Sequence, residues 1–297
     1  MADESKAFEG DVLVLGATGN IGQATVKFLS GKVRSIKAGS RNPDSDKAQA
    51  LAALEGVTAV KASDAATVEA ESKGVDAVFI VTPGCEDRAA VAISYAKAAA
   101  AAGVTKLVVI SVPFKASDMH LFARQFRELE AGVREVSSDA VFLGLPFFTD
   151  NQWGNAGTIK SMGKIFAPVK PDAAFVSIAA QDVPPAFFSV LTKFDAYKGK
   201  KFVLTSDAQS YGSIAKAFGE ALEKEVTYVQ VPNEAAKKAM MDMGFPEWQV
   251  DGIIELFDLI NASDETLTNV TSDLETLTGK SGTSTAAWIA SVKAGFQ

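Results

Sequence analysis

Residues 11–22, DVLVLGATGNIG, decide the fold. Asp11 to Leu15 is a short apolar run, and Ile21 to Leu29 has the apolar spacing of a helix. Between them Gly16, Gly19 and Gly22 make a G-x-x-G-x-x-G turn. Glycines that follow a first strand and open a helix are the mark of dinucleotide binding. Gly16 lets the chain turn off the strand. Gly19 removes a side chain where a pyrophosphate must approach, and Gly22 lets the helix pack close to the sheet. The free N–H groups of the first helical turn then face the phosphates. A plain tight turn between strand and helix is the competing reading; the position after the first strand favours the dinucleotide.

The next strand, 35–39, ends in Gly39-Ser40-Arg41-Asn42. NAD-preferring folds place an acid there to hold the ribose 2′-hydroxyl. This chain has none. A 2′-phosphate carries up to about two negative charges, which Arg41 can meet with two parallel hydrogen bonds. Ser40 can donate one more. The expected cofactor is therefore NADP(H). Asp64, after the third strand, reads equally as an adenine contact or as a helix cap.

Further strands are expected at 57–61, 76–81, 106–112 and 140–145, with helices at 88–102 and 121–137. These strands are apolar on both faces, as buried parallel strands are. The alternation predicts an α/β fold, a Rossmann doubly wound parallel sheet with helices on both sides. After Pro146 the pattern changes. Residues 151–171 are rich in loop formers, and a helix at 183–194 and a strand at 201–205 are expected to return to the sheet. From Ser210 on, a smaller, mainly helical lobe is expected. Its stripe of Ile253, Ile254, Leu256, Phe257 and Ile260 reads as core packing. The expected division is 1–150, with 175–205 returning to it, against 151–174 and 206–297. The substrate cleft should lie between them, outside the carboxyl ends of the strands.

The 297 residues are 47% apolar and 22% charged, an ordinary globular balance. A net charge of −7 argues against general attraction to nucleic acid or anionic lipid. Cys85 is the single cysteine, so no internal disulfide can form. No run of about 18 apolar residues suggests a membrane span. Met1 to Gly10 is polar and acidic, without the apolar core of a leader peptide. A cytoplasmic protein is expected. One histidine and one isolated cysteine leave no zinc spacing, and no metal is expected.

The chain resembles the NmrA-like group of atypical short-chain dehydrogenases/reductases. The motifs are GATGNIG at 16–22, AGSRN at 38–42, VFIVTP at 78–83 and VVISV at 108–112. SSDAVFLGLPFFTDN at 137–151, VSIAAQDV at 176–183 and SYGSIAKAFGEALEKEVTYVQVP at 210–232 extend the likeness over nearly the whole chain. The resemblance implies an NADP site made by Gly16, Thr18, Gly19, Asn20, Ile21, Gly22, Ser40, Arg41 and Asp64. It adds Thr82, Pro83, Ser111 and Val112, with Pro146, Phe147 and Phe148 near the nicotinamide. It also implies one of two functions: a quinone- or isoflavone-type reductase, or a redox sensor that binds NADP and a protein partner.

Ordinary short-chain dehydrogenases use Tyr-x-x-x-Lys on a helix, the lysine lowering the tyrosine's pKa. Here only Tyr197 and Lys201 have that spacing, in a turn leading into a strand, and the match reads as coincidence. The catalytic group is not identified. Lys115, His120 and Arg124 are the candidates, all just after the fifth strand. His120 suits acid–base work but reads first as a solvated helix start. Cys85 follows the fourth strand and reads first as an inert thiol. Phe114, Phe147, Phe148, Trp153 and Phe166 offer apolar surface for a small planar, quinone-like acceptor.

Overall fold

The computed structural model describes residues 8–297; of the segment read above for a leader, Met1 to Ala7 lie outside them and the rest opens the first strand. The chain alternates as β1 (Phe8–Leu15), α1 (Asn20–Leu29), β2 (Val33–Ser40), α2 (Asp46–Ala52), β3 (Val57–Lys61) and α3 (Ala65–Ser72). It continues with β4 (Ala77–Ile80), α4 (Arg88–Ala101), β5 (Lys106–Ser111), α5 (Leu121–Val136) and β6 (Val141–Gly144). Then come β7 (Phe147–Phe148), α6 (Ala156–Met162), β8 (Lys164–Ala167), β9 (Phe175–Ile178), α7 (Val183–Thr192), α8 (Phe194–Tyr197) and β10 (Lys201–Val203). The last part holds β11 (Asp207–Gln209), α9 (Tyr211–Leu222), β12 (Thr227–Gln230), α10 (Asn233–Asp242) and α11 (Glu247–Asn261). It closes with α12 (Glu265–Thr268), α13 (Asp273–Thr278) and α14 (Thr285–Val292).

Seven strands form one sheet in the order β10-β6-β5-β4-β1-β2-β3. Every pairing in it is parallel. The strand residues explain why it is covered on both sides. Val12 and Val14 of β1, with Ala77 and Phe79 of β4, enter one core with α1 and α7. Leu13, Leu15, Val78 and Ile80 point the other way, into a core with α3, α4 and α5. Phe79 stacks on Phe187 of α7 with centroids 4.3 Å apart, so the late helix is bound to the early strand. This is the Rossmann-like α/β fold expected. From β1 the chain runs outward through β2 and β3 on one side, and through β4, β5 and β6 on the other. The β1/β4 boundary is thus a topological switch point, where ligands of such sheets bind.

The helices α2 and α3 were not singled out in the sequence. Leu51 with Ala48 in one, and Val68 in the other, are the only apolar side chains they bury, too few to show a period. Residues 151–171, read as loop, hold a 3-10 segment at Thr149–Asn155, then α6 and β8. β9 pairs with β7 and β11 in a three-stranded sheet, and β8 pairs with β12. Return to the large sheet therefore begins at α7, and β10 joins it beside β6. A third core gathers Ile159, Phe175, Ile214, Phe218, Trp288 and Phe296 with the later helices. Among the described residues no helix is long and apolar enough to cross a membrane.

Candidate functional site

The glycine turn divides into two tasks. Gly16 has φ 71°, and a Cβ on it would sit 2.4 Å from the Val81 carbonyl oxygen. A Cβ on Gly22 would sit 2.2 Å from the Gly16 carbonyl oxygen. Both residues are demanded by the turn itself. Gly19 is different: its φ is an ordinary −79°, and its nearest obstacle would be Gly16 oxygen at 3.3 Å. Only that one main-chain oxygen crowds the place its side chain would take. Gly19 is also the N-cap of α1, and no side chain satisfies the first N–H groups of that helix. The turn is held by Ala17 N–H to the Gly39 oxygen at 3.0 Å and by Gln23 Nε2 to the Thr18 oxygen at 2.8 Å. A cradle of free N–H groups beside a missing side chain fits a pyrophosphate.

One strand over, at the end of β2, Ser40 is 5% exposed and its Oγ has no hydrogen-bond partner. A buried hydroxyl without a partner is unfavourable unless something else completes it. Arg41 beside it is exposed. The pair fits a phosphate brought by a ligand. Asp64 caps α3: one carboxylate oxygen accepts from Thr67 N–H at 2.9 Å and the other from Ser63 Oγ at 2.8 Å. The Thr67 N–H holds its carboxyl below the usual range. Of the two readings left open by the sequence, the cap is the one the geometry shows.

A cavity of about 1080 Å³ opens at the carboxyl ends of β4 and β5. Ile21, Thr82, Ser111, Val112, Pro146, Phe147 and Phe148 line it. Pro83 is exposed and lies off its wall. The far wall is supplied by the later lobe: Tyr211, Ile253, Leu256 and Phe257, with Met240 and Phe245. The stripe on α11 is therefore more than core packing, since Ile260 is buried while Ile253, Leu256 and Phe257 face the cavity. Phe147 lies parallel to Phe257 at 6.5 Å, and Tyr211 to Tyr228 at 5.2 Å. The cavity, the glycine turn and Ser40 stand at the ends of neighbouring strands β5, β4, β1 and β2. Three strand spacings are about 14 Å, so a ligand touching all of them must be elongated.

The three catalytic candidates separate. His120 lines the cavity and caps α5, its Nδ1 accepting from Ala123 N–H at 3.3 Å. That bond leaves the ring proton on Nε2, and burial pushes the imidazole pKa down. Lys115 instead pairs with Glu265 at 3.2 Å near the surface. Arg124 is exposed and donates to the Met119 oxygen at 2.6 Å. Neither is part of the cavity wall. Phe114 lies beneath Lys201, whose Nζ is 3.6 Å from its centroid, and Trp153 stacks on Phe296 at 4.6 Å. Of the five aromatics named from sequence, Phe147, Phe148 and Phe166 reach the cavity.

Glu130, Tyr211 and Arg88 were not singled out in the sequence. Ser111, fully buried at the end of β5, hydrogen-bonds Glu130, which pairs with Lys201 at 2.7 Å. Burial pushes the Lys201 ammonium down against the pull of Glu130. Tyr197 turns to Phe202, centroids 5.2 Å apart, so the Tyr-x-x-x-Lys match is indeed no catalytic pair. Tyr211 lines the cavity, and burial pushes its phenol well above the usual range. Arg88 lines it too. Cys85 is partly buried, its Sγ 3.6 Å from the Pro83 oxygen, and burial pushes its thiol up.

The NmrA-like family model matches residues 9–282. The chain belongs to the NmrA-like family. An NAD(P)H azoreductase of Xenophilus azovorans is 30% identical over 272 residues, covering 91% of this chain and 93% of that protein. Among solved structures, an NADPH-dependent quinone oxidoreductase of Escherichia coli in complex with NADPH superposes with TM-score 0.83. It is 24% identical, and the alignment covers 95% of this NmrA-like chain and 99% of that one. NmrA, a negative transcriptional regulator in complex with NAD, superposes with TM-score 0.78 at 18% identity, covering 96% and 95%. At these identities the two structures bear on the fold of this NmrA-like chain, and the azoreductase on its family.

Proposed function

We infer that this NmrA-like protein is an NADPH-dependent reductase of flat conjugated acceptors, quinones foremost. The observation that carries the reading is the aromatic cavity at the ends of β4 and β5, next to the glycine turn. The azoreductase relative and the quinone oxidoreductase fold neighbour support the same class of reaction. Bound NADPH supplies the hydride. Gly16, Thr18, Gly19, Asn20, Ile21 and Gly22 would hold its pyrophosphate, and Ser40 and Arg41 its 2′-phosphate. Thr82, Ser111, Val112, Pro146, Phe147 and Phe148 would border the reacting end. On this reading the first 150 residues with α7 and β10 carry the cofactor, and the later lobe carries the acceptor.

The chain's own part in the chemistry is to stack the acceptor, exclude water and meet the charge that forms. Phe147, Phe148 and Phe257 give flat apolar faces for an aromatic ring. His120, with its proton on Nε2, and the Tyr211 hydroxyl are hydrogen-bond donors in the cavity wall. The direct test incubates the protein with NADPH and a panel of quinones and follows oxidation of the cofactor. Steady, enzyme-dependent oxidation with at least one quinone is expected. Tight NADPH binding by calorimetry with no turnover of any flat acceptor would overturn the reading, and would leave a sensor that acts through a protein partner.

A further inference from the structure

Arg88 is the first residue of α4, is 9% exposed, and lines the cavity. Its guanidinium carbon lies 4.8 Å from the centroid of Phe126 and 5.5 Å from that of Phe122, both on α5. The one hydrogen bond of its guanidinium among the described residues is long, Nε to the Cys85 oxygen at 3.5 Å. No carboxylate of the described residues acts on it, and the one group that favours its charge is the Cys85 thiol, which burial itself keeps protonated. A buried, permanently charged guanidinium without an anion is unfavourable. The positive end of a fourteen-residue helix makes that place worse for a cation. The two ring faces offset only part of this. Burial works against the charge, as the lowered pKa of the group records.

The other ionised groups on the wall do not complete it. Asp150 accepts from Ala180 N–H at 2.8 Å, and Asp242 pairs with Lys238 at 2.6 Å. The missing anion must then arrive with a ligand. The phosphates of a dinucleotide have their places at the β1 turn and at Ser40 and Arg41 on β2. Arg88 stands beyond β4, packed on the helix that follows β5. We propose that Arg88 binds an oxyanion on the acceptor itself, so that the cavity selects flat aromatic acceptors bearing a carboxylate or sulfonate. The inference rests on the acceptor reading of the cavity. The Phe122 and Phe126 rings hold the guanidinium near α5, and its planar fork can make two parallel bonds to one oxyanion.

The test is a binding titration of the full chain, saturated with NADP+, with anthraquinone-2-carboxylate and with its methyl ester. The carboxylate is expected to bind about tenfold to a hundredfold more tightly than the ester. In Arg88→Met, which keeps an apolar stem between the rings, that ratio falls toward one. In Arg88→Lys, which keeps charge but loses the fork, it is intermediate. A wild-type ratio near one overturns the proposal, and so does a ratio unchanged in Arg88→Met. Loss of NADP+ affinity with the ratio intact would instead assign Arg88 to a cofactor phosphate. If Arg88→Met fails to fold, Arg88→Lys and the salt dependence of the wild-type ratio decide, since a real ion pair weakens with salt. Turnover is a separate readout. A carboxylate preference without NADPH oxidation keeps this assignment and overturns the reductase reading; turnover of both quinones with equal affinity does the reverse.

Discussion

At the glycine turn the site is built of backbone from one short stretch, residues 16–22. In the acceptor cavity it is built of side chains from far apart: Phe147 on β7, Phe175 on β9, Tyr211 on α9 and Phe257 on α11. The first region tolerates almost no change at Gly16 and Gly22, because an added carbon meets main-chain oxygen at 2.4 Å and 2.2 Å. The second is a wall of rings, where removing one leaves its neighbours to close in. The difference teaches that, on the proposed function, cofactor binding rests on a local turn, whereas acceptor choice rests on the tertiary fold.

The sharpest break of that comparison lies inside the turn. Gly19→Val should lower NADPH affinity by about a hundredfold or more, since the side chain fills the space a pyrophosphate needs, with Tm nearly unchanged. Gly22→Val should instead lower Tm, because overpacking against main chain costs about 1–3 kcal/mol or more. Calorimetry and thermal unfolding of the two variants separate these effects; a Gly19→Val protein that NADPH still stabilises fully would remove the turn from the binding site.

A smaller effect is expected at the end of β2. Arg41→Ala should cost roughly tenfold in NADPH affinity and leave NADH almost untouched, as a lost charged hydrogen bond costs about 1.5–3 kcal/mol. Equal affinities for the two cofactors in the wild type would contradict the reading of Ser40 and Arg41. Smaller again is Phe257→Ala. Aromatic pairs contribute about 0.5–1.5 kcal/mol beyond their buried area, so the acceptor KM should rise several-fold with the NADPH Kd unmoved. A shift in NADPH Kd would mean the two regions are not separate.

The smallest effect is in the pH dependence of stability. Burial lowers the folded-state pKa of His120 below its ordinary value of 6.5. The unfolded chain then binds a proton that the native one resists, so stability is full above about 6.5 and is lost as pH falls through the folded value. His120→Asn keeps a capping side chain and should flatten this part of a plot of Tm against pH. An unchanged slope would show that His120 titrates as in the unfolded chain.

Much of the first region was legible because strand and turn chemistry are local. β1 and β4 are apolar on both faces, and their alternate residues do enter two different cores. Ser40 and Arg41 were picked by what their strand end lacks, and the structure adds that the Ser40 Oγ has no partner. The cavity was not legible for the same physical reason. An apolar stripe such as Ile253, Leu256 and Phe257 looks identical whether it meets a neighbour helix or an open space. Lys115 and Arg124 were chosen for nearness to β5 along the chain, yet both side chains turn outward. Arg88 begins an alanine-rich helix and reads like a solvated end; only the packing of α4 on α5 covers it. Ser111, Glu130 and Lys201 meet across 90 residues of chain, and no local pattern joins them.

The central claim is that this cavity reduces acceptors whose product is only weakly basic. Hydride transfer to a ketone leaves an alkoxide, whose conjugate acid has a pKa near that of water, about 15.7. A quinone leaves a phenolate-like anion, with a conjugate acid near 10. The gap is about 8 kcal/mol of basicity. Tyr211 faces the cavity without a lysine to lower its pKa, and burial moves it the wrong way for an acid. The deciding measurement therefore sets quinones beside aliphatic and aryl ketones under the same NADPH and follows cofactor oxidation. The account predicts turnover of quinones and none of ketones. Ketone turnover at a rate comparable to that of quinones would contradict it.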